Sequence, residues 1–245
     1  MMLVVTKLNL FLLVLSSNRK IDLYDCRRRL WYNQAINSPK DVIIVFDMSG
    51  SMIGNHFIIS KLIVQSLIDT LQQDDFFNVL YFNEFTDFLI PCLNQTLAQA
   101  TSYYKNQFKQ AVTKLHQPKG TSDFPQALRT AFQLLEKTSN RVTSSSNCTK
   151  TIMLISDGID YEDRTTEILA EYNGDKHVVL FSYIVGQASE ENSAEMKDLA
   201  CQNGGEFYDF PTVGTFIFFS VFEFYFLIFT LDTNATKICT VKMKK

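Results

Sequence analysis

The sequence predicts an α/β fold: a doubly wound, mostly parallel sheet with helices on both faces and one antiparallel edge strand. Three observations lead to this prediction. From residue 41 onward, short apolar runs alternate with longer amphipathic segments, which is typical of a parallel sheet covered by helices. Polar, oxygen-bearing residues directly follow two of the apolar runs, where such folds place their binding site. With 245 residues, 46% of them hydrophobic, the chain can bury one substantial core.

The first elements are predicted from residue type and spacing. Residues 42–46 (VIIVF) form a continuous β-branched and aromatic run, as expected of a strand buried on both faces. Apolar residues recur near helical spacing over 59–71, which predicts a helix that returns the chain across the sheet. Residues 76–82 and 88–92 are short strand candidates, and the few residues between them indicate an antiparallel hairpin at the edge.

The second half of the chain continues the alternation of helices and strands. Its predicted elements are helices 98–115 and 124–137, strand 151–155, helix 165–172, strand 178–185, helix 194–201 and strand 206–210. Pro118 and Gly120 end the first of these helices. The stretch 138–149 is rich in Ser and Asn and is predicted to be a surface loop.

Charge, cysteines and sequons narrow the class of protein. A formal net charge of -3 leaves no broad basic surface, so we do not expect nucleic acid as a partner. The five cysteines show neither CxxC nor Cys/His zinc spacing. Together with Asn-x-Thr sequons at Asn94, Asn147 and Asn234, they indicate an extracellular domain made in the secretory pathway, with Asn94 and Asn147 as glycosylation sites.

Apolar segments flank the predicted domain, which covers residues 41–214 after a lead-in at 21–40. Residues 1–20 contain an apolar run of signal-peptide length, but no strong basic region precedes it. In the final segment, 215–245, an apolar run interrupted by Glu223 is slightly short for a membrane-spanning helix and precedes a basic tail. A membrane segment and a buried or artefactual one both stay open as interpretations.

Three loops carry oxygen-bearing side chains. Asp47, Ser49 and Ser51 come directly after the first strand, Asp157 ends the central strand, and Thr121 lies in a loop that opens a helix. Singly, each would be an ordinary turn or cap residue. Because the carboxyl ends of parallel strands meet at one edge, we expect the five side chains to lie together. Hydroxyl and carboxylate oxygens are ligands for hard cations, so the sequence predicts a Mg²⁺ or Ca²⁺ site that can accept a partner's carboxylate.

These motifs resemble those of a known family. The D-x-S-x-S run, the G-T-S-D loop and the S-D-G strand end match the metal-ion-dependent adhesion site of von Willebrand factor A domains. Upstream, residues 22–32 (DLYDCRRRLWY) are similar to the lead-in of that domain in the alpha-2/delta auxiliary subunits of voltage-gated calcium channels. Further similar segments are 74–79, 147–154 and 172–176, and the resemblance covers roughly 21–214.

The resemblance implies a function and a location. It implies an auxiliary subunit whose metal site binds an acidic residue of the pore-forming channel subunit and promotes channel trafficking and current. Such a subunit would lie at the extracellular face of the plasma membrane, held there through its partner or through a C-terminal part that this sequence lacks.

The resemblance also implies further site residues. Tyr24, Arg29 and Trp31 occupy positions that in the family help form a pocket for a small amino acid. Leu30 stands where the family usually has proline, and the rest of that pocket belongs to regions absent from this sequence. Cys201 matches a family cysteine that bridges the alpha-2 part to the delta part, which is also absent here.

Two other functions use similar residues. A general cell-adhesion or matrix-binding A domain would apply the same metal chemistry to another ligand, although the RRRLWY lead-in argues against it. A Mg²⁺-dependent hydrolase would also place an aspartate after its first strand. However, the sequence has no Walker lysine loop and no general base placed by a motif, so we predict a binding module and not an enzyme.

Overall fold

The computed structural model describes residues 39–139, 145–146, 148–158, 163–175, 177–187 and 189–213. The strands are β1 Lys40–Asp47, β2 Phe76–Phe82, β3 Thr86–Phe88, β4 Ala98–Gln99, β5 Thr149–Ser156, β6 Val178–Val185 and β7 Phe207–Phe210. The helices are α1 Asn55–Thr70, α2 Ser102–Lys114, α3 Phe124–Ser139, α4 Asp163–Asn173 and α5 Glu190–Gln202. Short 3-10 turns lie at Gly50–Met52 and Pro91–Leu93.

The sheet has the strand order β3-β2-β1-β5-β6-β7. β1 pairs in parallel with β2 on one side and with β5 on the other, and β6 pairs in parallel with β5 and β7. β3 is antiparallel to β2 at the edge. The chain leaves β1 toward one side of the sheet and later returns on its other side, so the strand order reverses there. That reversal opens a crevice beyond the carboxyl ends of β1 and β5.

Alternate residues of β1 face opposite helical layers, as strand geometry requires. Ile44 and Phe46 are fully buried in a core shared with α1 and α2. Ile43 and Val45 are buried on the other face, in a core shared with α3, α4 and α5. A strand covered on both faces has no polar side, which explains the unbroken apolar run in the sequence. The predicted fold class is therefore confirmed.

The hairpin region differs from the prediction in detail. The edge strand β3 ends at Phe88, before Pro91, which begins a 3-10 turn and has no N–H to donate to a sheet. Ala98–Gln99, expected to begin a helix, instead pairs antiparallel with β2 as β4. The helix starts at Ser102 because Thr101 caps it, its side chain accepting a hydrogen bond from the Tyr104 amide.

The segments expected to act at a membrane are not covered by the structure. The predicted signal at 1–20, most of the lead-in and the apolar run after 214 lie outside the described residues. Within the part of the chain that is described, no helix combines the length and the apolarity needed to cross a bilayer.

Candidate metal site

The site begins with the carboxylate that ends β1. Asp47 is 1% exposed. Its Oδ1 accepts a hydrogen bond from the Ser49 amide at 2.8 Å, and its Oδ2 accepts one from the Ser156 hydroxyl at 2.6 Å. Ser156 is the last residue of β5, the strand beside β1. The carboxylate is therefore fixed by its own loop and by the end of the neighbouring strand.

A row of hydrogen bonds joins this loop to the end of β5. The Ser49 and Ser51 hydroxyl oxygens are 3.0 Å apart, and the Ser51 hydroxyl donates to Asp157 Oδ1 at 2.9 Å. Asp157 remains accessible, with 15% of its side chain exposed. Asp47, Ser49, Ser51 and Asp157 thus lie together at the carboxyl edge of the sheet, as the strand-end argument expects.

The loop that carries Thr121 packs directly against the first loop. The Gly50 amide donates to Gly120 O at 2.8 Å, and the Lys119 amide donates to Met48 O at 3.0 Å. A Cβ built on Gly50 would lie 3.3 Å from that Gly120 oxygen, so a small residue suits this approach. Thr121 itself is exposed and forms no hydrogen bond with the described residues.

A cleft of about 240 Å³ opens above these groups. Besides four of the predicted ligands, it is lined by residues that the sequence did not single out: Ser122, Phe124, Pro125, Gly158 and Asn192. In the G-T-S-D loop, Ser122 lines the cleft and Thr121 does not. Ser122 belongs to the G-T-S-D motif, so the sequence could have pointed to it. Asn192 lies in α5 and belongs to no recognised motif.

His56 is a further neighbour of the site that the sequence analysis did not single out. Its Nδ1 lies 3.4 Å from Asp157 Oδ2. A Cβ on Gly186 would lie only 2.1 Å from His56 Nε2, so the imidazole occupies the space that a side chain at Gly186 would need. Nothing in the local sequence of α1 indicates this contact, which depends on α1 packing near the end of β6.

Burial dominates the electrostatics of the site. It raises the pKa of Asp47 to about 6, although hydrogen bonds from Ser156 and Ser49 act in the opposite direction. The negative charge of Asp157 adds a smaller upward contribution. No lysine or arginine is among the described residues that line the cleft. The buried carboxylate thus lacks a cationic side chain to offset the cost of its charge.

The donor set fits a hard divalent cation. Among the described residues, no cluster of three or more His, Cys, Asp or Glu side chains could hold a metal ion. The carboxylates and hydroxyls around the cleft instead offer oxygen ligands, which Mg²⁺ and Ca²⁺ prefer. A bound cation would also supply the positive charge that Asp47 lacks. The metal site itself stays a prediction, which this donor set supports.

The other predicted site residues lie elsewhere. Asn94 is exposed just after the 3-10 turn Pro91–Leu93, where a sugar could be attached. Asn147 and the proposed pocket residues Tyr24, Arg29 and Trp31 lie outside the described residues.

Cys201 is disulfide-bonded in this chain. Cys92 and Cys148 are exposed free thiols, so neither is its partner. The bridge from Cys201 to the delta part, which the resemblance implies, stays a prediction.

A parallel sheet with this oxygen cluster at its carboxyl edge defines a class of domain. The model of the von Willebrand factor type A domain matches residues 41–218, and the chain belongs to that family. It is 41% identical over 191 residues to the human voltage-dependent calcium channel subunit alpha-2/delta-3, covering 78% of this chain and 17% of that protein. It is 37% identical over 197 residues to human alpha-2/delta-2, covering 80% of this chain and 16% of that protein. The chain thus spans about a sixth of the length of these relatives.

Solved structures show the same fold at low identity. A von Willebrand factor type A protein from Catenulispora acidiphila aligns with a TM-score of 0.62 at 20% identity, covering 79% of this chain and 42% of that chain. Proximal thread matrix protein 1 from the mussel byssus, with a zinc-occupied MIDAS motif, aligns with a TM-score of 0.56 at 17% identity, covering 80% and 46%. Both support the architecture described above.

Proposed function

We propose that this chain is the metal-dependent docking domain of an auxiliary subunit of a voltage-gated calcium channel. The observation that carries the proposal is the joined cluster of Asp47, Ser49, Ser51 and Asp157 at a cleft. It occurs in a chain that is 41% identical to a subunit of such channels. In this proposal the domain binds a partner and catalyses no reaction.

The cluster residues hold Mg²⁺ or Ca²⁺, directly or through water, and Thr121 joins them from the adjacent loop. When bound, the cation offers a coordination position to a carboxylate oxygen of the pore-forming subunit. Because Ser49, Ser51 and Thr121 contribute neutral oxygens, only Asp47 and Asp157 reduce its positive charge. The chain's own part is to fix these oxygens at the rim of an accessible cleft, where an acidic side chain can reach them.

The wider role follows from the resemblance to the channel subunits. The domain lies at the extracellular face of the plasma membrane, associated through its partner or through a further part of the protein, and it promotes trafficking and current. Asn94 and Asn147 carry sugars in that setting. Tyr24, Arg29 and Trp31 contribute to an amino-acid pocket.

Cys201 completes this proposal for the longer protein. There it forms the bridge to the delta part.

The test is co-expression of this chain with a pore-forming calcium channel subunit, followed by co-purification in Mg²⁺ or in EDTA and by recording of current. We expect co-purification and larger currents with the wild type, and loss of both with Ser49→Ala combined with Ser51→Ala. The matched control combines Ser66→Ala with Ser102→Ala, hydroxyls on α1 and α2 that form no hydrogen bond with the described residues.

Circular dichroism of the purified variants checks that each is folded. Binding by the wild type that persists in EDTA would contradict a metal-bridged contact. Failure of the wild type to bind the pore-forming subunit in Mg²⁺ would contradict the channel function and favour adhesion to another ligand. Metal-dependent turnover of a phosphoester would favour a hydrolase.

A further inference from the structure

One wall of the cleft is formed by an asparagine from a distant part of the chain. Asn192 lies in the first turn of α5, and its backbone amide donates to the hydroxyl of the N-cap Ser189 at 3.1 Å. The cap fixes this turn, because it provides a hydrogen-bond acceptor for an amide that has no partner within the helix. Asn192 therefore reaches the cleft from a backbone that is held in place before any ligand binds.

The side-chain amide of Asn192 lies directly beside the metal-site loop. A Cβ built on Gly158 would lie 2.4 Å from Asn192 Nδ2, so the amide occupies the space left by the missing side chain. Gly158 directly follows Asp157. The amide group is thus next to the residue that ends the hydrogen-bonded row of the site.

This amide also has hydrogen-bonding capacity to spare. Its NH₂ group carries two donors, yet it forms no hydrogen bond with any described residue. The hydroxyl of Ser51, by contrast, already donates to Asp157, and the Ser49 hydroxyl is bonded to Ser51. Asn192 is only partly exposed, so a bond to a ligand there would be less weakened by competing water than one at the open surface.

A carboxylate bound to the cation through one oxygen would have its second oxygen free to accept a hydrogen bond from a donor in this cleft. We propose that Asn192 Nδ2 donates to that second oxygen and so sets the orientation of the partner's acidic side chain. The inference rests on the proposed function, because it concerns how the same partner is recognised. Gly158 takes part only by leaving room for the amide.

The test compares Asn192→Ala and Asn192→Asp with the wild-type chain. Two quantities are measured: binding of the pore-forming channel subunit in Mg²⁺, and Mg²⁺ binding alone by calorimetry. We expect Asn192→Ala to weaken partner binding by about tenfold or more, because a hydrogen bond to a charged group usually contributes at least that factor to affinity. The affinity for Mg²⁺ should stay within about twofold of the wild-type value. Such a change is smaller than the effect of losing one neutral hydrogen bond.

The aspartate variant separates docking from packing. Aspartate has nearly the same shape as asparagine, so a packing role predicts binding close to that of the wild type. Our proposal predicts weaker partner binding than with alanine, because the new charge repels the incoming carboxylate. Gln202→Ala, an exposed amide at the far end of α5, is the matched control and should change neither quantity.

The outcomes distinguish this inference from the proposed function. If Asn192→Ala binds the partner like the wild type while the Ser49 and Ser51 double variant does not, the role of Asn192 is wrong and the proposed function stands. If Asn192→Ala loses Mg²⁺ binding as well, the residue supports the metal site and does not orient a ligand. If the wild type binds no channel subunit, both proposals fall.

Discussion

Replacing Asp47 by asparagine should stabilise the protein without metal and destabilise it with metal. In the metal-free fold, burial raises the pKa of Asp47 to about 6 from its ordinary value of 3.8. A pKa that is higher in the folded state means that folding favours the protonated carboxyl. This contribution to stability is complete below about pH 4 and is lost as the pH rises through about 6.

The size of the effect follows from that difference in pKa. Each pKa unit corresponds to about 1.4 kcal/mol, so ionised Asp47 costs the metal-free fold about 3 kcal/mol above pH 7. Asparagine keeps the shape and removes the charge. Its oxygen can still accept from the Ser49 amide, and its NH₂ can donate to the Ser156 hydroxyl. For a domain of this size, about 3 kcal/mol corresponds to roughly 6–12 °C in Tm.

The assay is thermal unfolding of the wild type and Asp47→Asn at pH 5 and pH 8, in EDTA and in excess Mg²⁺. In EDTA at pH 8 we expect the variant to have the higher Tm, with a smaller advantage at pH 5. In Mg²⁺ at about 1,000 times its Kd the order should reverse. Metal binding then stabilises the wild type by about 4.1 kcal/mol, which exceeds the cost of about 3 kcal/mol, and the variant has lost a charged ligand. Equal Tm values in EDTA at both pH values would refute the argument from burial, and equal stabilisation by Mg²⁺ would refute Asp47 as a ligand.

Three further predictions test the site, the fold and the surface. Ser51→Ala should weaken Mg²⁺ binding at least about tenfold, measured by calorimetry, because it removes a candidate ligand. Even the loss of a residue that only supports a ligand lowers metal affinity by that factor. Unchanged affinity would remove Ser51 from the ligand set. Gly205→Ala should cost about 3 kcal/mol or more in urea unfolding, since its Cβ would lie 2.0 Å from Leu180 O. Gly204→Ala, with open space and a φ of 74°, should cost only about 1 kcal/mol, and equal losses would contradict the clash. After secretion from mammalian cells, Asn94→Gln should migrate faster on a gel than the wild type, because it removes the sequon proposed to carry a sugar at this exposed position. Unchanged migration would exclude that site.

The sequence by itself determined the fold class and most of the oxygen cluster at the carboxyl edge of the sheet. Strands covered by helices on both faces must be apolar throughout, so residues 42–46 could be recognised as a central strand without any partner in view. The carboxyl ends of parallel strands share one edge, so Asp47 and Asp157 could be placed together although β2, α2 and α3 lie between them in the chain. Both inferences use rules that hold for every sheet of this kind.

Only the tertiary structure decided which other side chains line the cleft or contact the residues of the site. Asn192 and His56 lie on helices whose local sequences would look the same whether or not they faced the site. Their contacts with Gly158, Asp157 and Gly186 depend on how α5 and α1 pack beside the sheet. The two-residue strand β4 likewise exists because β2 is there to pair with it. Such contacts join residues far apart in the chain, and their geometry depends on the packing of whole elements, which no local pattern records.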